Sequence, residues 1–260
     1  MQGSPTHYHP PGMEVPAPFA WHGDHLGIEL PGGRALFTTR RGGVSCGPYA
    51  SLNLGRWTDD DPAAVAENRA RLAAAIHLAP EAIAQGRQVH GTRVARVTAP
   101  PDPGAEPVVA DGQATALPGV APLVLTADCL PVALIARGAV AMIHAGWRGL
   151  AGGIVAEGVA ALRALGAEGP IAAAIGPGAG GCCYEVGDEV WAAFARHGAA
   201  VRDGDRIDLK AIARRELAAA GVEEVHDCGL CTICGDPALF FSHRRDGGVT
   251  GRQAGVAWRA

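Results

Sequence analysis

Cysteine and histidine are the side chains of this 260-residue sequence best suited to hold a soft metal ion or to attack a carbonyl, and two of them occupy telling places. Cys129 stands just before the apolar run "PVALIA" (131–136), and His144 closes the run "AVAMIH" (139–144). Between the runs, Arg137-Gly138 reads as a tight hairpin turn. With a two-residue loop, His144 faces Pro131, and Cys129 lies two places further out on the same strand. A shift of two preserves the face of a sheet. Cys129 and His144 are therefore expected as diagonal neighbours, about 7–8 Å apart at the backbone and within joint reach of one ion. A one-residue change in the turn would send them to opposite faces.

Thiolate with imidazole suits zinc, and three protein ligands leave one position for water or substrate. The third candidate is His90 in "GRQVHGTRV", beside a glycine at the start of another strand-like segment. Asp128 adjoins the cysteine. Strand alternation points it to the opposite face unless the chain has already bent there, and it could support a ligand or accept a proton. The bland alternatives are a Cys129 that serves as a small buried hydrophobe and a His144 that is merely hydrogen-bonded. A different chemistry for the same atoms is a cysteine hydrolase or amidase, with Cys129 as nucleophile and His144 as base.

The elements that must position these residues read as a mixture of strands and helices. Strand-like runs are 35–39, 93–97, 121–127, 131–136, 139–144 and 171–175. The segment "DDDPAAVAENRARLAAAIH" predicts a helix with an Asp cap, Pro in its first turn and Val65, Leu72 and Ile76 inward. Further helices are expected after Gly149 (Ile154, Val155, Leu162 and Leu165 inward), around Val186–His197 (Val190, Trp191, Phe194), and after an Asp208 cap (Leu209, Ile212, Leu217). Residues 98–112 read as a loop. Together these predict a single α/β domain over 18–260, with a Pro-rich, polar tail over 1–17 expected to be disordered.

A net charge of −4 argues against nucleic-acid binding by bulk electrostatics. No run of about 18 apolar residues is present, so no transmembrane helix is expected. Seven cysteines, an odd number, and no recognisable export signal fit reduced thiols in a cytoplasm better than a disulfide framework. "HDCGLCTICGD" (226–236) places Cys228, Cys231 and Cys234 in a C-x-x-C-x-x-C run that could hold a second metal; the alternative is a Cys-rich loop.

Several motifs resemble the laccase-domain, or polyphenol-oxidase-like, family. They are "FTTRRGGVSCGPYASLNLG" (37–55), "QVHG" (88–91), "ADG" (110–112), "TADCLPV" (126–132), "HAGWRGL" (144–150), "CYEVGDEV" (183–190) and "FFSHRRDG" with "TGR" (240–252). The resemblance runs in order over roughly 35–255. It implies a layered α/β sandwich with mixed β-sheet flanked by helices, related to a bacterial toxin deamidase, and metal positions at His90, Cys129 and His144. Members of the family are described as zinc-dependent purine nucleoside phosphorylases with adenosine deaminase and methylthioadenosine phosphorylase activities, and a bacterial branch is linked to peptidoglycan editing. One departure is His243, where the family usually has tyrosine. The resemblance also leaves Cys228 and Cys234 unexplained.

The implied substrates are adenosine, inosine, guanosine and methylthioadenosine, with phosphate as co-substrate. Deamination would use a zinc-activated water, with Asp128 moving the proton. Phosphorolysis needs cations for phosphate; the candidates are Arg40, Arg41 and Arg148, with Asn53 available for ribose or phosphate. Arg244 and Arg245 either line the same pocket or pair with Asp246, and Tyr184 and Glu185 are lesser candidates. A copper oxidase is disfavoured, because a blue-copper site plus a histidine-rich oxygen cluster needs more ligands than one such site supplies.

Overall fold

The computed structural model describes residues 14–259. Most of the expected N-terminal tail, residues 1–13, lies outside them; within the rest of it, Val15 packs against the core and the Phe19 amide donates to the Pro16 carbonyl at 3.0 Å.

Two six-stranded mixed sheets lie face to face. One runs β1 (Ala20–His22), β2 (His25–Leu30), β3 (Gly33–Phe37), β14 (Gln253–Arg259), β7 (Ala121–Thr126) and β4 (Ile83–Gln85). The other runs β13 (Glu224–Asp227), β10 (Glu168–Ile175), β8 (Leu130–Arg137), β9 (Ala139–Ala145), β6 (Gly112–Thr115) and β5 (Val94–Val97). A short ribbon pairs β11 (Arg202–Asp203) with β12 (Arg206–Ile207).

Alternation along β8 and β9 sorts their side chains between two cores. Ala133, Ile135, Val140 and Met142 meet Leu26, Ile28, Phe37 and Val124 of the first sheet. Val132, Leu134, Ala141 and Ile143 turn the other way. There they meet α2 (Trp147–Gly152), α3 (Ile154–Ala164), α4 (Asp188–Ala193) and α5 (Leu209–Ala219). With both faces covered, β8 is buried from Leu130 to Ala136 and reads as one continuous apolar run instead of an alternating one. On the outer face of the first sheet, Leu123, Leu125 and Val256 pack against Leu72, Ala73 and Ile76 of α1 (Pro62–Ala75) and its C-terminal turn. Each of these buried Leu, Ile and Val side chains stabilises the fold by about 1.5–3 kcal/mol. The result is the expected α/β sandwich, in four layers.

The helix caps follow the sequence. Asp61 accepts from the Ala63 amide at 3.0 Å with Pro62 in the first turn, and Asp208 accepts from the Ala211 amide at 2.9 Å. The helix expected after Gly149 begins earlier, at Trp147, and is broken at Gly153, whose φ of +96° ends α2 and starts α3. Among the described residues no helix is long and apolar enough to cross a membrane.

Candidate metal centre

The β8–β9 hairpin has the expected register: Ala136 pairs with Ala139 and His144 with Pro131. Gly138, at φ +94°, supplies the left-handed residue that so short a turn needs. Cys129 and His144 consequently share a face, and His90 joins them. The three ligand atoms lie within 4.8 Å of one another, with Cys129 Sγ 3.8 Å from His90 Nε2. The two imidazoles meet edge-on, their centroids 4.8 Å apart at 73°.

Asp111, absent from the sequence-derived candidates, organises this group. Its Oδ1 accepts from the His90 amide at 2.8 Å and from His144 Nδ1 at 2.9 Å, and its Oδ2 accepts from the amides of Val89 (3.1 Å) and Gly91 (2.7 Å). The His144 amide donates to the Asp111 carbonyl at 2.7 Å. One buried carboxylate thus shapes the turn that carries His90, at φ +60°, and fixes the His144 ring with Nε2 as its ligand nitrogen. Burial raises the Asp111 pKa, but bonds from His144, Val89 and Gly91 outweigh it and hold the carboxyl below its ordinary value. The sequence signal was slight: an acidic residue between Ala110 and the short strand β6.

The donor set fits a thiophilic ion such as zinc: one thiol and two imidazoles, one of them anchored by a carboxylate. Burial pushes the Cys129 thiol up, yet the charge of His144 and hydrogen bonds from both histidines hold it down to about 6. Burial pushes His144 down, but the charge of Cys129 and the Asp111 hydrogen bond lift it to about 9.

Asp128 has φ +89°, rare for a residue with a side chain. This kink breaks strand alternation just before β8, so Asp128 and Cys129 both reach the same cavity. The strained backbone is held on all sides. The Thr232 hydroxyl donates to Asp128 Oδ1 at 2.6 Å, the Arg244 amide to Oδ2 at 2.7 Å, and the Ala179 amide to its carbonyl at 2.7 Å.

The cavity measures about 410 Å³, within the range of small-molecule sites. His90, Cys129 and His144 line it together with Trp57, Trp147, Tyr184, Arg148, Arg244 and Arg252. Arg148 stacks on Trp147 at 4.2 Å, near Glu189 and more than half exposed. Arg244 lies over Tyr184 at 5.2 Å and donates to the Glu185 carbonyl. A cavity of about 440 Å³ around residues 80–108 is slightly larger, but none of the three ligand candidates lines it, so chemistry assigns the site to the smaller one.

Other candidates lie outside this group. Arg40 and Arg41 do not line the cavity. Arg40 donates to the carbonyls of Ala50 and Pro237 and sits over Phe241, while Arg41 reaches the Ala238 carbonyl and Asp236. Asn53 is fully buried, and its amide is consumed internally: it donates to Thr58 and Asp60 and accepts from the amides of Gly55 and Arg252. It therefore positions the pocket-lining Arg252 and does not face the cavity. Arg245 pairs with Asp246, leaving Arg244 as the pocket residue of that pair. Cys228 does not join Cys231 and Cys234, because it is buried in the core between the sheets.

The chain is 42% identical to a purine nucleoside phosphorylase of Pseudomonas aeruginosa over 86% of this chain and 93% of that one. It is 44% identical to a purine nucleoside phosphorylase of Xylella fastidiosa over 88% of this chain and 93% of that one. The crystal structure of YlmD from Geobacillus stearothermophilus superposes with a TM-score of 0.86 at 37% identity, covering 94% of this chain and 99% of that one. The sequence profile described as multi-copper polyphenol oxidoreductase laccase matches residues 34–260, from β3 to the C-terminus, and the chain belongs to that family.

Proposed function

We propose that the chain is a zinc-dependent purine nucleoside phosphorylase that also deaminates adenosine. The observation that carries this reading is the convergence of a His–Cys–His group, aromatic walls and three arginines on one cavity of nucleoside-binding size. His90, Cys129 and His144 would hold a zinc ion, which would supply a Lewis acid. Trp57, Trp147 and Tyr184 offer faces against which a purine stacks. Arg148, Arg244 and Arg252 provide the positive charge that holds phosphate while its oxygen bonds to C1′ and the C1′–N9 bond breaks. Asp128, oriented by Thr232 and the Arg244 amide, is the carboxylate placed to exchange a proton with bound substrate. Adenosine, inosine, guanosine and methylthioadenosine are the proposed nucleosides, and a cytoplasmic setting suits the seven free thiols.

The donor set speaks against polyphenol oxidation. Among the described residues, the groups able to hold an ion are this one and an all-cysteine one, and neither offers a histidine-rich oxygen site. A specific observation favours a second reading. Cys129, His144 and Asp111 form a thiol–imidazole–carboxylate series, the arrangement of a cysteine hydrolase or amidase acting on cell-wall precursors.

The deciding experiment incubates the protein with the four nucleosides, with and without phosphate, and identifies products by mass. Phosphate-dependent release of free base supports the phosphorylase; no product above a Cys129→Ala control refutes it. Arg148→Ala is expected to depress phosphorolysis more than deamination, and an equal loss of both removes its phosphate role. Rapid alkylation of Cys129 in a zinc-free protein from metal-replete cells would favour the hydrolase.

A further inference from the structure

A second group of sulfurs lies apart from the cavity. Cys182 and Cys183 sit in the Gly-rich turn after β10, and Cys231 and Cys234 in the loop after β13. The pairs are 48 to 52 residues apart in sequence, yet all four sulfurs lie within 4.8 Å of one another. Cys182 Sγ is 3.6 Å from Cys234 Sγ and 3.5 Å from Cys183 Sγ. We propose that Cys182, Cys183, Cys231 and Cys234 bind one zinc ion, which staples the loop carrying the cavity-lining Tyr184 to the loop carrying Thr232, the hydrogen-bond partner of Asp128.

The spacing matches a single ion. A tetrahedral centre with metal–sulfur bonds of about 2.3 Å keeps its sulfurs roughly 3.8 Å apart. A disulfide requires about 2.05 Å, well short of any contact here. An iron–sulfur cube would hold four cysteine sulfurs further apart than one ion does.

Backbone hydrogen bonds support the same arrangement. The Thr232 amide donates to the Gly178 carbonyl at 3.1 Å, the Cys183 amide to the Gly180 carbonyl at 3.0 Å, and the Gly235 amide to the Cys231 carbonyl at 3.0 Å. The Gly180 amide points at Cys231 Sγ at 3.2 Å, the bond that commonly supports a ligating thiolate. Gly180 leaves room for the sulfurs to gather. A Cβ there would come within 3.1 Å of Cys182 Sγ and 3.4 Å of Cys231 Sγ, entering the space the ligands share.

Four protein ligands close the coordination sphere, which makes the centre structural. Its reach into the active cavity runs through chain neighbours. Tyr184, next to Cys183, lines the cavity, and Thr232, next to Cys231, donates to Asp128.

The test counts zinc in protein from metal-replete cells. The wild type is expected to hold two equivalents. The Cys129→Ala/His144→Ala variant, emptied at the catalytic centre, should keep one, and X-ray absorption should report four sulfurs at about 2.3 Å and no nitrogen. The Cys182→Ser/Cys234→Ser variant should also fall to one, with nitrogen in the shell. The proposal is overturned if the first variant holds no zinc, or if mass spectrometry finds a Cys182–Cys234 disulfide in place of metal. A wild type with one equivalent in a mixed nitrogen–sulfur shell overturns it equally, whether or not the serine variant folds. The single all-sulfur zinc expected in the first variant does not depend on the nucleoside reading; failure of a zinc-based reading of the cavity would lower only the counts that include its ion, leaving the wild type with one zinc in an all-sulfur shell.

Discussion

Asp111→Asn tests the metal centre through a residue that need not touch the ion. The carboxylate receives four donors on two oxygens: His90 N and His144 Nδ1 on one, Val89 N and Gly91 N on the other. An amide keeps a single acceptor. If its oxygen takes the His90 and His144 side, its NH2 faces the amides of Val89 and Gly91, and two partly buried donors are orphaned. At up to about 1–3 kcal/mol for each, reduced where water reaches the turn, that orientation costs at most roughly 2–6 kcal/mol. If the amide flips, the His90 amide is orphaned, and His144 must move its proton to Nε2, the nitrogen aimed at the ion. The cost is then about 1–3 kcal/mol in stability plus the loss of a ligand lone pair. Either outcome loosens the His90 turn or misdirects His144. Zinc affinity should therefore fall by about 10–100-fold, the usual effect of losing the carboxylate behind a ligating histidine. The assay is competition against a chromophoric chelator at neutral pH, with thermal unfolding measured on the same preparation. A folded Asp111→Asn protein that binds zinc within about twofold of the wild type would refute the reasoning.

The remaining predictions concern the surroundings of the same site. Gly146 has φ −73° and ψ 167°, which alanine tolerates, but an added Cβ would lie 3.0 Å from Cys129 Sγ and 3.1 Å from His90 Cδ2. Gly146→Ala should lower zinc affinity by on the order of tenfold while the melting temperature of zinc-free protein stays close to wild type; unchanged zinc titration would show that the ligands do not need that space. Thr232→Val removes the hydroxyl donated to the buried Asp128 and should cost about 1–3 kcal/mol in urea unfolding, with reduced turnover. Equal turnover would leave Thr232 a purely structural role. At Asp246, burial raises the pKa, but bonds from Arg245, Thr250 and the Ser242 amide outweigh it and set the folded value below 3.8. Its stabilisation is therefore fully present above about pH 4 and lost as pH falls through the lower folded value. Asp246→Asn should destabilise by about 1–3 kcal/mol at pH 7, and the gap to wild type should close in acid; a gap independent of pH would contradict that account.

What the sequence disclosed about the site, and what it withheld, divides along chain distance. Cys129 and His144 could be placed together because a two-residue turn leaves one register, and register determines the face of every residue along both strands. The caps at Asp61 and Asp208 were legible for the same reason, since each acts on an amide two or three residues away. Asp111 was missed because its partners, Val89 to Gly91 and His144, come from separate segments that meet only once β5, β6 and β9 are side by side. Arg40, Arg41 and Asn53, expected at the cavity, lie away from its lining for the converse reason. A cation or amide among glycines resembles a ligand holder, but each is committed to loop carbonyls, amides or side chains far along the chain.

The cysteines carry the argument furthest. Read along the chain, Cys228, Cys231 and Cys234 form a regular C-x-x-C-x-x-C series. In the fold, the strand β13 delivers Cys228 into the apolar layer between the sheets, while the following loop turns Cys231 and Cys234 outward. Parallel pairing of β13 with β10 then brings that loop beside the turn after β10 and supplies Cys182 and Cys183 from outside the motif. Spacing identifies ligands when all of them sit on one local element. When a sheet pairing completes the set, the ligands are defined by strand order, and half of them have no signature in the segment that first drew attention.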